Sequence, residues 1–142
     1  APYFQALQYS DMRIMRYAEV LLMAAEAQLQ AGNQNKALEY VNMIRTRAHL
    51  SPLATVTLQD IKNEKRLELC LESVRYQDLV RWGDAKATLG NQGAQIPSLT
   101  ATGVQWIYKN STYGYQDRNK LLPIPLKEIE LNPNISQNEG WK

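Results

Sequence analysis

The middle of the chain alternates apolar and charged positions more densely than any other stretch. Its apolar side chains recur at the three- and four-residue spacing of a helix, at Leu67, Leu71 and Val74. The glutamates of the same stretch lie four residues apart, so that they stack on one helix face beside the apolar stripe. The pattern predicts a helix over residues 58–72, a break near residue 73 and a second helix over residues 75–87.

The first of these helices has a clear start signal. Thr57 and Asp60 have the spacing of a capping box, with Asp in place of the usual Glu or Gln. In that motif each side chain binds the backbone N–H of the other residue, which satisfies two donors that a helix start leaves open. We therefore expect the helix to begin directly after Thr57.

Charged side chains are interleaved so closely with leucines in this helix pair that we expect partly buried ion pairs. The expected partner of Glu68 or Glu72 is Arg75. The expected partner of Asp78 is Arg81 or Arg75. The alternative is a catalytic pair of carboxylates, because two carboxyl groups held close together serve glycoside hydrolysis. No nucleophile with a base and an orienting group accompanies the glutamates, which favours the structural interpretation.

A second pair of helices is predicted upstream, over residues 11–31 and 35–48. The first is rich in Ala, Leu and Met, which favour helices, and Gly32-Asn33 is typical of a helix end. Its centre, residues 20–25, is apolar nearly all round, so we expect burial on more than one side. The pair resembles a tetratricopeptide unit over residues 11–48. Because a solenoid needs about three such units, the pair must pack against another element.

The upstream helices carry charges of their own, at Glu19, Glu26, Arg45 and Arg47. We expect these groups to pair with one another or with the charged cluster of residues 64–81. The single histidine, His49, follows the second helix, where a surface or capping role is expected.

The helical pattern stops in residues 88–119, where Gly and Pro recur and Asn, Gln, Ser and Thr are frequent. So long a connection is typical of a functional or loosely ordered segment. Trp106 and Tyr108 alternate as in a short strand, and a turn at Asn110-Ser111 would complete a hairpin.

This loop segment supplies the candidate ligand-binding residues, which are Trp106, Tyr108, Tyr113, Tyr115, Gln116 and Asp117. Flat aromatic rings stack on the faces of pyranose sugars, and amides and carboxylates hydrogen-bond to sugar hydroxyls. The alternative is that the aromatic side chains cover the helical core. The sequence predicts no catalytic residue, no metal site and no cofactor.

The tail, residues 120–142, contains the run Leu121-Leu122-Pro123-Ile124-Pro125. Proline is favoured at the first position of a helix, so Pro125 predicts a short helix through Glu130. Asn132-Pro133 then ends that helix, because the residue before a proline disfavours helical backbone.

Length and composition narrow the possible functions. The chain of 142 residues is long enough for one domain with a core. Its net charge of +2 gives no reason to expect nucleic acid or an anionic membrane as a partner. No apolar run approaches a membrane-spanning length. Cys70, the only cysteine, lies among leucines and is expected to be a buried, inert thiol.

Four motifs resemble, in order, the signatures of the SusD/RagB family. They read MRYAEVLLMAAEA at residues 15–27, NMIRTRA at 42–48, EKRLELCLESVRYQDLVRWG at 64–83 and LLPIPLKEIELNPNISQNEGW at 121–141. Lys65, Leu71, Ser73 and Tyr76 stand where the family has Arg, Phe, Gly and Trp. Serine at residue 73 makes a left-handed helix end costlier than glycine would.

The resemblance implies a mainly α fold, with tetratricopeptide-like helix pairs and a loop-rich segment before the tail. It implies a non-catalytic lipoprotein on the cell surface, in the outer membrane of Bacteroidetes-type bacteria. Such proteins bind glycans, or in some branches peptides, for uptake through a SusC-like TonB-dependent transporter. Family chains are several times longer, and this chain resembles their C-terminal portion. Its expected partners therefore include the remaining N-terminal part of the same protein, which would carry the lipid anchor.

Two other function classes remain open. The helix pairs could form a module that binds a protein partner and takes no small ligand. The glutamates of residues 64–72 could instead serve a glycoside hydrolase. Turnover of a polysaccharide would favour the enzyme, and a change in tryptophan fluorescence with glycan but without turnover would favour the binding protein.

Overall fold

The computed structural model describes residues 14–92, 95–108 and 114–141, and of residues 95–96 and 106–108 it describes the backbone. The chain is mainly helical, with one small two-stranded sheet, which confirms the predicted fold class. It forms two compact units, Ala1–Ser73 (unit 1) and Val74–Lys142 (unit 2). The two units are described separately.

The described residues of unit 1 form the helices α1 (Tyr17–Gln30), α2 (Gln34–Arg47) and α3 (Leu58–Glu68). The turn between α1 and α2 contains Gly32 at φ +82°, a left-handed conformation that suits glycine and ends α1 as predicted. α1 begins later than predicted, because residues 14–16 precede it without helical structure. The predicted start of this helix, at residue 11, lies outside the described residues.

The core of unit 1 lies where α1, α2 and α3 meet. It includes the fully or almost fully buried side chains Ala25, Ala37, Val41, Val56 and Ile61. Small alanines facing each other let two helices approach closely. The centre of α1 is buried on one side only, since Val20 and Met23 are exposed. The predicted burial on several sides is therefore wrong for the described part of the chain.

The capping box at the start of α3 is present as predicted. The backbone N–H of Asp60 donates to Thr57 Oγ1 at 3.2 Å, and the N–H of Thr57 donates to Asp60 Oδ2 at 2.8 Å. Hydrogen bonds from the Thr57 side chain and then from its backbone lower the pKa of the Asp60 carboxyl below its ordinary value.

Replacing Asp60 with alanine is expected to destabilise α3 by about 1 kcal/mol at pH 7, the usual cost of a lost cap. A lowered carboxyl pKa stabilises the fold above the ordinary pKa of aspartate, and this contribution is lost as the pH falls through the lowered value. The stability difference should therefore shrink below about pH 4. Urea unfolding at pH 7 and pH 3 measures it, with Gln59→Ala as a non-titrating control. A difference independent of pH would contradict the prediction.

α3 ends at Glu68, earlier than the predicted residue 72. Residues 69–73 form a turn in which Leu71 (φ +66°) and Ser73 (φ +65°) adopt left-handed backbone. Arg16 Nη2 donates to the carbonyl oxygen of Glu68 at 2.9 Å and so satisfies an acceptor that the helix end leaves open. Ser73 thus takes the conformation expected of glycine at this position.

The early end of α3 also changes the environment of its neighbours. Cys70 is exposed, so the prediction of a buried thiol is wrong. Leu67 and Leu71 are also largely exposed, which breaks the predicted apolar stripe. For Cys70 and Leu71 the helical spacing no longer applies, because the chain leaves the helix after Glu68, whereas Leu67 lies in the last turn of α3 and is exposed there.

Unit 2 begins with α4 (Arg75–Trp82) and α5 (Ala85–Leu89), where the sequence predicted one helix. Gly83, at φ +77°, separates them. Strands β1 (Gln95–Thr100) and β2 (Gly103–Tyr108) form an antiparallel hairpin in which Gln95 pairs with Tyr108 and Thr100 with Gly103. β2 is thus the second strand of the hairpin rather than the first, and the predicted turn at residues 110–111 lies outside the described residues.

A 3₁₀ helix (Asp117–Lys120) and α6 (Leu126–Leu131) follow the hairpin in unit 2. The predicted short helix is present, with Pro125 one residue before it rather than at its first position, and it ends one residue beyond the predicted Glu130. Beyond it, the Gln137 side chain binds both backbone groups of Ile124: it donates to the carbonyl at 2.9 Å and accepts from the N–H at 2.8 Å. Asn138 Nδ2 donates to the Leu122 carbonyl at 2.6 Å. These amides hold the tail against the Leu-Pro-Ile-Pro run.

Candidate functional site

The charged cluster of unit 1 pairs its carboxylates with arginines. Glu68 accepts from Arg16 at 2.9 Å and from Arg47 at 2.6 Å, and both carboxylate oxygens of Glu72 accept from Arg16 at 2.7 Å. These hydrogen bonds, first those to Glu72, raise the pKa of Arg16 above its ordinary value. The carboxylates are therefore engaged in ion pairs, which fits a structural role better than the alternative of general acid–base chemistry.

Arg45 donates to Glu64 at 2.9 Å, so Arg45 and Arg47 both pair with the cluster as predicted. The sequence suggested Arg75 as the partner of Glu68 or Glu72. Their partners within unit 1 are instead Arg16 and Arg47. Nothing in the local pattern identified Arg16, which comes from the segment before α1.

The charged groups of α4 surround Trp82. Arg81 donates to Asp78 at 2.9 Å, which confirms that predicted pair. The guanidinium groups of Arg81 and Arg75 lie 4.6 Å and 5.9 Å from the centre of the Trp82 ring, within the range of cation–π contact. Arg75 Nη1 is buried and has no hydrogen-bond partner among the described residues.

The candidate ligand site is a pocket of about 310 Å³ within unit 2. Three parts of the chain form it: α4, the end of α5 with the residues after it, and the segment that leads into the 3₁₀ helix. The described residues that line it are Tyr76, Leu89, Gln92, Gly114, Tyr115, Gln116, Arg118 and Asn119.

A close contact between Gly90 and Gly114 fixes one side of this pocket. A Cβ atom added to Gly114 would lie 1.8 Å from the carbonyl oxygen of Gly90, so no other residue fits at position 114 without movement of the backbone. The N–H of Tyr115 donates to the carbonyl of Leu89 at 3.0 Å. These two contacts place the Tyr115 ring beside the end of α5.

Two tyrosines form the aromatic wall of the pocket. The ring centres of Tyr76 and Tyr115 lie 6.4 Å apart with an angle of 52° between the rings, a tilted arrangement typical of aromatic pairs. The hydroxyl of Tyr76 donates to the carbonyl of Asn119. Burial, and then the neighbouring Tyr115, raise the pKa of Tyr76 above its ordinary value. Both contacts fix the orientation of the Tyr76 ring.

The polar groups of the pocket differ in their availability. Gln116 and Asn119 cap the 3₁₀ helix reciprocally, with the N–H of Gln116 donating to Asn119 Oδ1 at 2.7 Å. Within the described part of the chain, the side-chain amide of Gln92 and the hydroxyl of Tyr115 make no hydrogen bond. The pocket thus offers a tyrosine ring with an open hydroxyl and one open amide, an arrangement suited to a polyhydroxylated ring compound.

The structure places the six predicted site residues in different surroundings. Tyr115 and Gln116 line the pocket. Asp117 borders the neighbouring pocket and pairs with Lys86 at 3.0 Å. Trp106 and Tyr108 lie in β2. Tyr113 lies outside the described residues.

Sequence reasoning missed six of the eight described lining residues, which are Tyr76, Leu89, Gln92, Gly114, Arg118 and Asn119. Tyr76 lies in the densely charged helix that was assigned to packing. The other five lie in the loop segment and its border without a pattern of their own. The available signal was the combination of aromatic and amide residues, which extends beyond the predicted set.

Two features of the described residues bear on the kind of site present. Among the described residues, no helix combines the length and the apolar character needed to cross a membrane. In the same part of the chain, no three histidine, cysteine or acidic side chains come together as metal ligands would.

Comparison with known proteins identifies relatives of the chain. The model of the SusD family matches residues 5–141. The starch-binding protein SusD of Bacteroides thetaiotaomicron is 34% identical over 138 residues, which are 94% of this chain and 22% of that protein. A SusD-like protein of Formosa agariphila, P38, is 30% identical and is matched over 91% of this chain and 24% of its own length.

Solved structures agree with these matches. Surface glycan-binding protein A of Bacteroides uniformis has a TM-score of 0.65 at 35% identity, over 89% of this chain and 27% of that one. A SusD-like protein of Bacteroides fragilis has a TM-score of 0.70 at 30% identity, over 90% of this chain and 25% of that one. The chain spans about a quarter of the length of these relatives. From the family match and these structures we conclude that the chain belongs to the SusD family.

Proposed function

We propose that this chain is part of a non-catalytic cell-surface protein that binds glycans for uptake. The observation that carries the proposal is the SusD family match over residues 5–141. The names of two relatives support it, since one is a starch-binding protein and the other a surface glycan-binding protein. In this proposal the protein is a lipoprotein of the outer membrane and passes its glycan to a SusC-like TonB-dependent transporter.

Within this chain, we place glycan contact at the unit 2 pocket. Tyr115 supplies a ring on which a sugar face stacks, and its hydroxyl and the Gln92 amide reach sugar hydroxyls. Trp106, Tyr108 and Tyr113 remain proposed contacts from the same loop segment. The peptide-binding branches of the family remain an alternative ligand class, and glycan binding is favoured by the relatives' names.

The runner-up function is a helical module that binds a protein and takes no glycan. It would use the groove of about 360 Å³ in unit 1, whose apolar lining includes Tyr17, Leu21, Met43 and Ile44. The remaining N-terminal part of the same protein is the partner that we propose for this groove. Enzymatic activity is not part of the proposal, because Glu64, Glu68 and Glu72 are engaged by arginines.

Replacing Tyr115 with alanine in the full-length protein should weaken glycan binding about fivefold, since an aromatic contact is worth roughly 1 kcal/mol beyond area burial. The ligand is first identified by screening the parent protein against immobilised polysaccharides. Affinity is then measured by isothermal titration calorimetry, with polysaccharide turnover assayed in parallel.

The matched control is Tyr115→Phe, which keeps the ring and removes the hydroxyl, and should retain most of the affinity. Trp106→Ala and Tyr113→Ala test the other proposed contacts in the same assay, with helicity checked by circular dichroism. Unchanged affinity in all three alanine variants, at unchanged helicity, would remove this loop segment from the site. Absence of binding to every polysaccharide would count against the proposed function itself.

A further inference from the structure

Arg118 stands at the border of the candidate pocket. It lies in the 3₁₀ helix, two residues after Gln116, and lines both the pocket of about 310 Å³ and a neighbouring one of about 390 Å³. Of the described residues that line the candidate pocket, Arg118 alone carries a formal charge. Among the described lining residues, one guanidinium group therefore sets the charge of the pocket.

The position of Arg118 is fixed by the end of the chain. Its guanidinium group lies 4.9 Å from the centre of the Trp141 ring, and its Nη1 donates to the carbonyl of Gly140 at 3.3 Å. Trp141 Nε1 in turn lies 2.9 Å from the carbonyl oxygens of both Arg118 and Leu121. A guanidinium group stacked on a ring in this way loses less freedom on binding a ligand than an unsupported side chain does.

The tail needs a glycine to pack this closely. Gly140 has φ +80°, and a Cβ atom there would lie 2.7 Å from Cβ of Arg118. Gly140 therefore both turns the chain and makes room for the Arg118 side chain. The contact is local to unit 2, so the arginine is held by the same unit that forms the pocket.

The charge of Arg118 is not neutralised within the described part of the chain. No carboxylate there lies within ion-pair distance of its guanidinium group. The adjacent Asp117 pairs instead with Lys86 at 3.0 Å. Glu139 borders the neighbouring pocket, together with Lys120, but is not among the residues that line the candidate pocket. The guanidinium group thus keeps donors open for an anionic group of a ligand.

We propose that the pocket takes an acidic glycan, with a carboxylate or sulfate ester of the sugar paired to Arg118 while the sugar ring stacks on Tyr115. The inference rests on the proposed glycan-binding function and specifies its ligand class. Arginine suits both anions, because its planar group donates two parallel hydrogen bonds to paired oxygens. A neutral glucan leaves this cation without a counter-charge.

The test compares matched charged and neutral polysaccharides on the full-length protein. Polygalacturonate is compared with its methyl-esterified form, and dextran sulfate with dextran, so that the two pairs separate carboxylate from sulfate recognition. Affinities are measured by calorimetry at low and high NaCl. We expect tighter binding of the charged member of at least one pair, and a weakening of that binding by salt.

Arg118→Gln should reduce affinity for the charged member about tenfold, the effect of losing one charge-assisted hydrogen bond, and leave the neutral member unchanged. Arg118→Lys should restore part of the affinity. Lys127→Gln, which removes the same charge from α6 outside the pocket, is the matched control and should have no effect.

Equal binding of charged and neutral members, or a charge preference that Arg118→Gln leaves unchanged, would overturn the inference while leaving glycan binding in place. Binding of neither member of either pair would also overturn it. The wider polysaccharide screen then decides whether the proposed function falls as well, since retention of another glycan there would preserve that function.

Discussion

Replacing Arg45 with alanine is expected to destabilise the contact between α2 and α3 by about 2–4 kcal/mol, because it leaves a buried carboxylate without its counter-charge. Arg45 Nη1 donates to Glu64 Oε2 at 2.9 Å, and the Glu64 side chain is only 10% exposed. Among the described residues Arg45 is the sole partner of Glu64. The Arg45 Nε atom also donates to the carbonyl of Ser51 at 2.9 Å, so the substitution loosens the loop after α2 as well.

Hydrogen–deuterium exchange in the full-length protein measures this effect locally. Protection of α2 and α3 amides should fall by roughly 30- to 1,000-fold, which corresponds to the expected free-energy change. Arg66→Ala is the matched control: it removes the same charge from an exposed position on α3 and should change stability by less than about 0.5 kcal/mol.

A paired substitution separates the loss of the ion pair from the loss of packing. Arg45→Met combined with Glu64→Leu removes both charges, and replacing a buried pair by apolar side chains is often close to neutral. The double variant should therefore recover most of the protection. If Arg45→Ala exchanges no faster than Arg66→Ala, the pair contributes little to the fold, and Glu64 becomes available for another role.

The elements that the sequence predicted well are those whose ends are encoded locally. Gly32 ends α1, the Thr57–Asp60 box begins α3, and Pro125 precedes α6. In each case the signal and the backbone group that it satisfies lie within a few residues of each other. Contacts with residues distant in sequence therefore do little to change where these helices begin or end.

Helix ends fixed by distant residues could not be predicted in this way. α3 stops at Glu68 because Arg16, 52 residues away in sequence, binds the backbone carbonyl of Glu68. Arg16 also binds the side-chain carboxylates of Glu68 and Glu72. The local pattern continues as a helix through residue 72, so a prediction from spacing overruns the end. The prediction that Cys70 is buried was wrong for the same reason.

The candidate pocket shows a similar limit. The composition of the loop segment indicated Tyr115 and Gln116, since aromatic and amide residues are concentrated there. The second tyrosine of the pocket comes from α4, where Tyr76 reaches the carbonyl of Asn119, 43 residues later. The sequence around a tyrosine in a charged helix does not indicate which loop its side chain will contact. The pocket therefore became visible only with the tertiary structure.

The contact between Gly90 and Gly114 leads to the second prediction with a large effect. Gly114→Ala should remove glycan binding and destabilise the pocket by about 2–4 kcal/mol, since a side chain forced into a packed site displaces its neighbours. The added Cβ would lie 1.8 Å from the oxygen and 2.6 Å from the carbon of the Gly90 carbonyl. Because both atoms are backbone, the two segments must separate, and the hydrogen bond from Tyr115 to Leu89 is lost with them.

Glycan affinity and the exchange rate of the Tyr115 amide, both measured in the full-length protein, test this expectation. Gly32→Ala is the matched control, because it has open space around the added Cβ and only the strain of its left-handed backbone, roughly 1 kcal/mol. That variant should bind glycan like the parent. A Gly114→Ala protein with the parent's affinity and an equally protected Tyr115 amide would mean that the pocket does not depend on this contact. Loss of affinity with Tyr115 still protected would instead point to a direct clash between the new methyl group and the ligand.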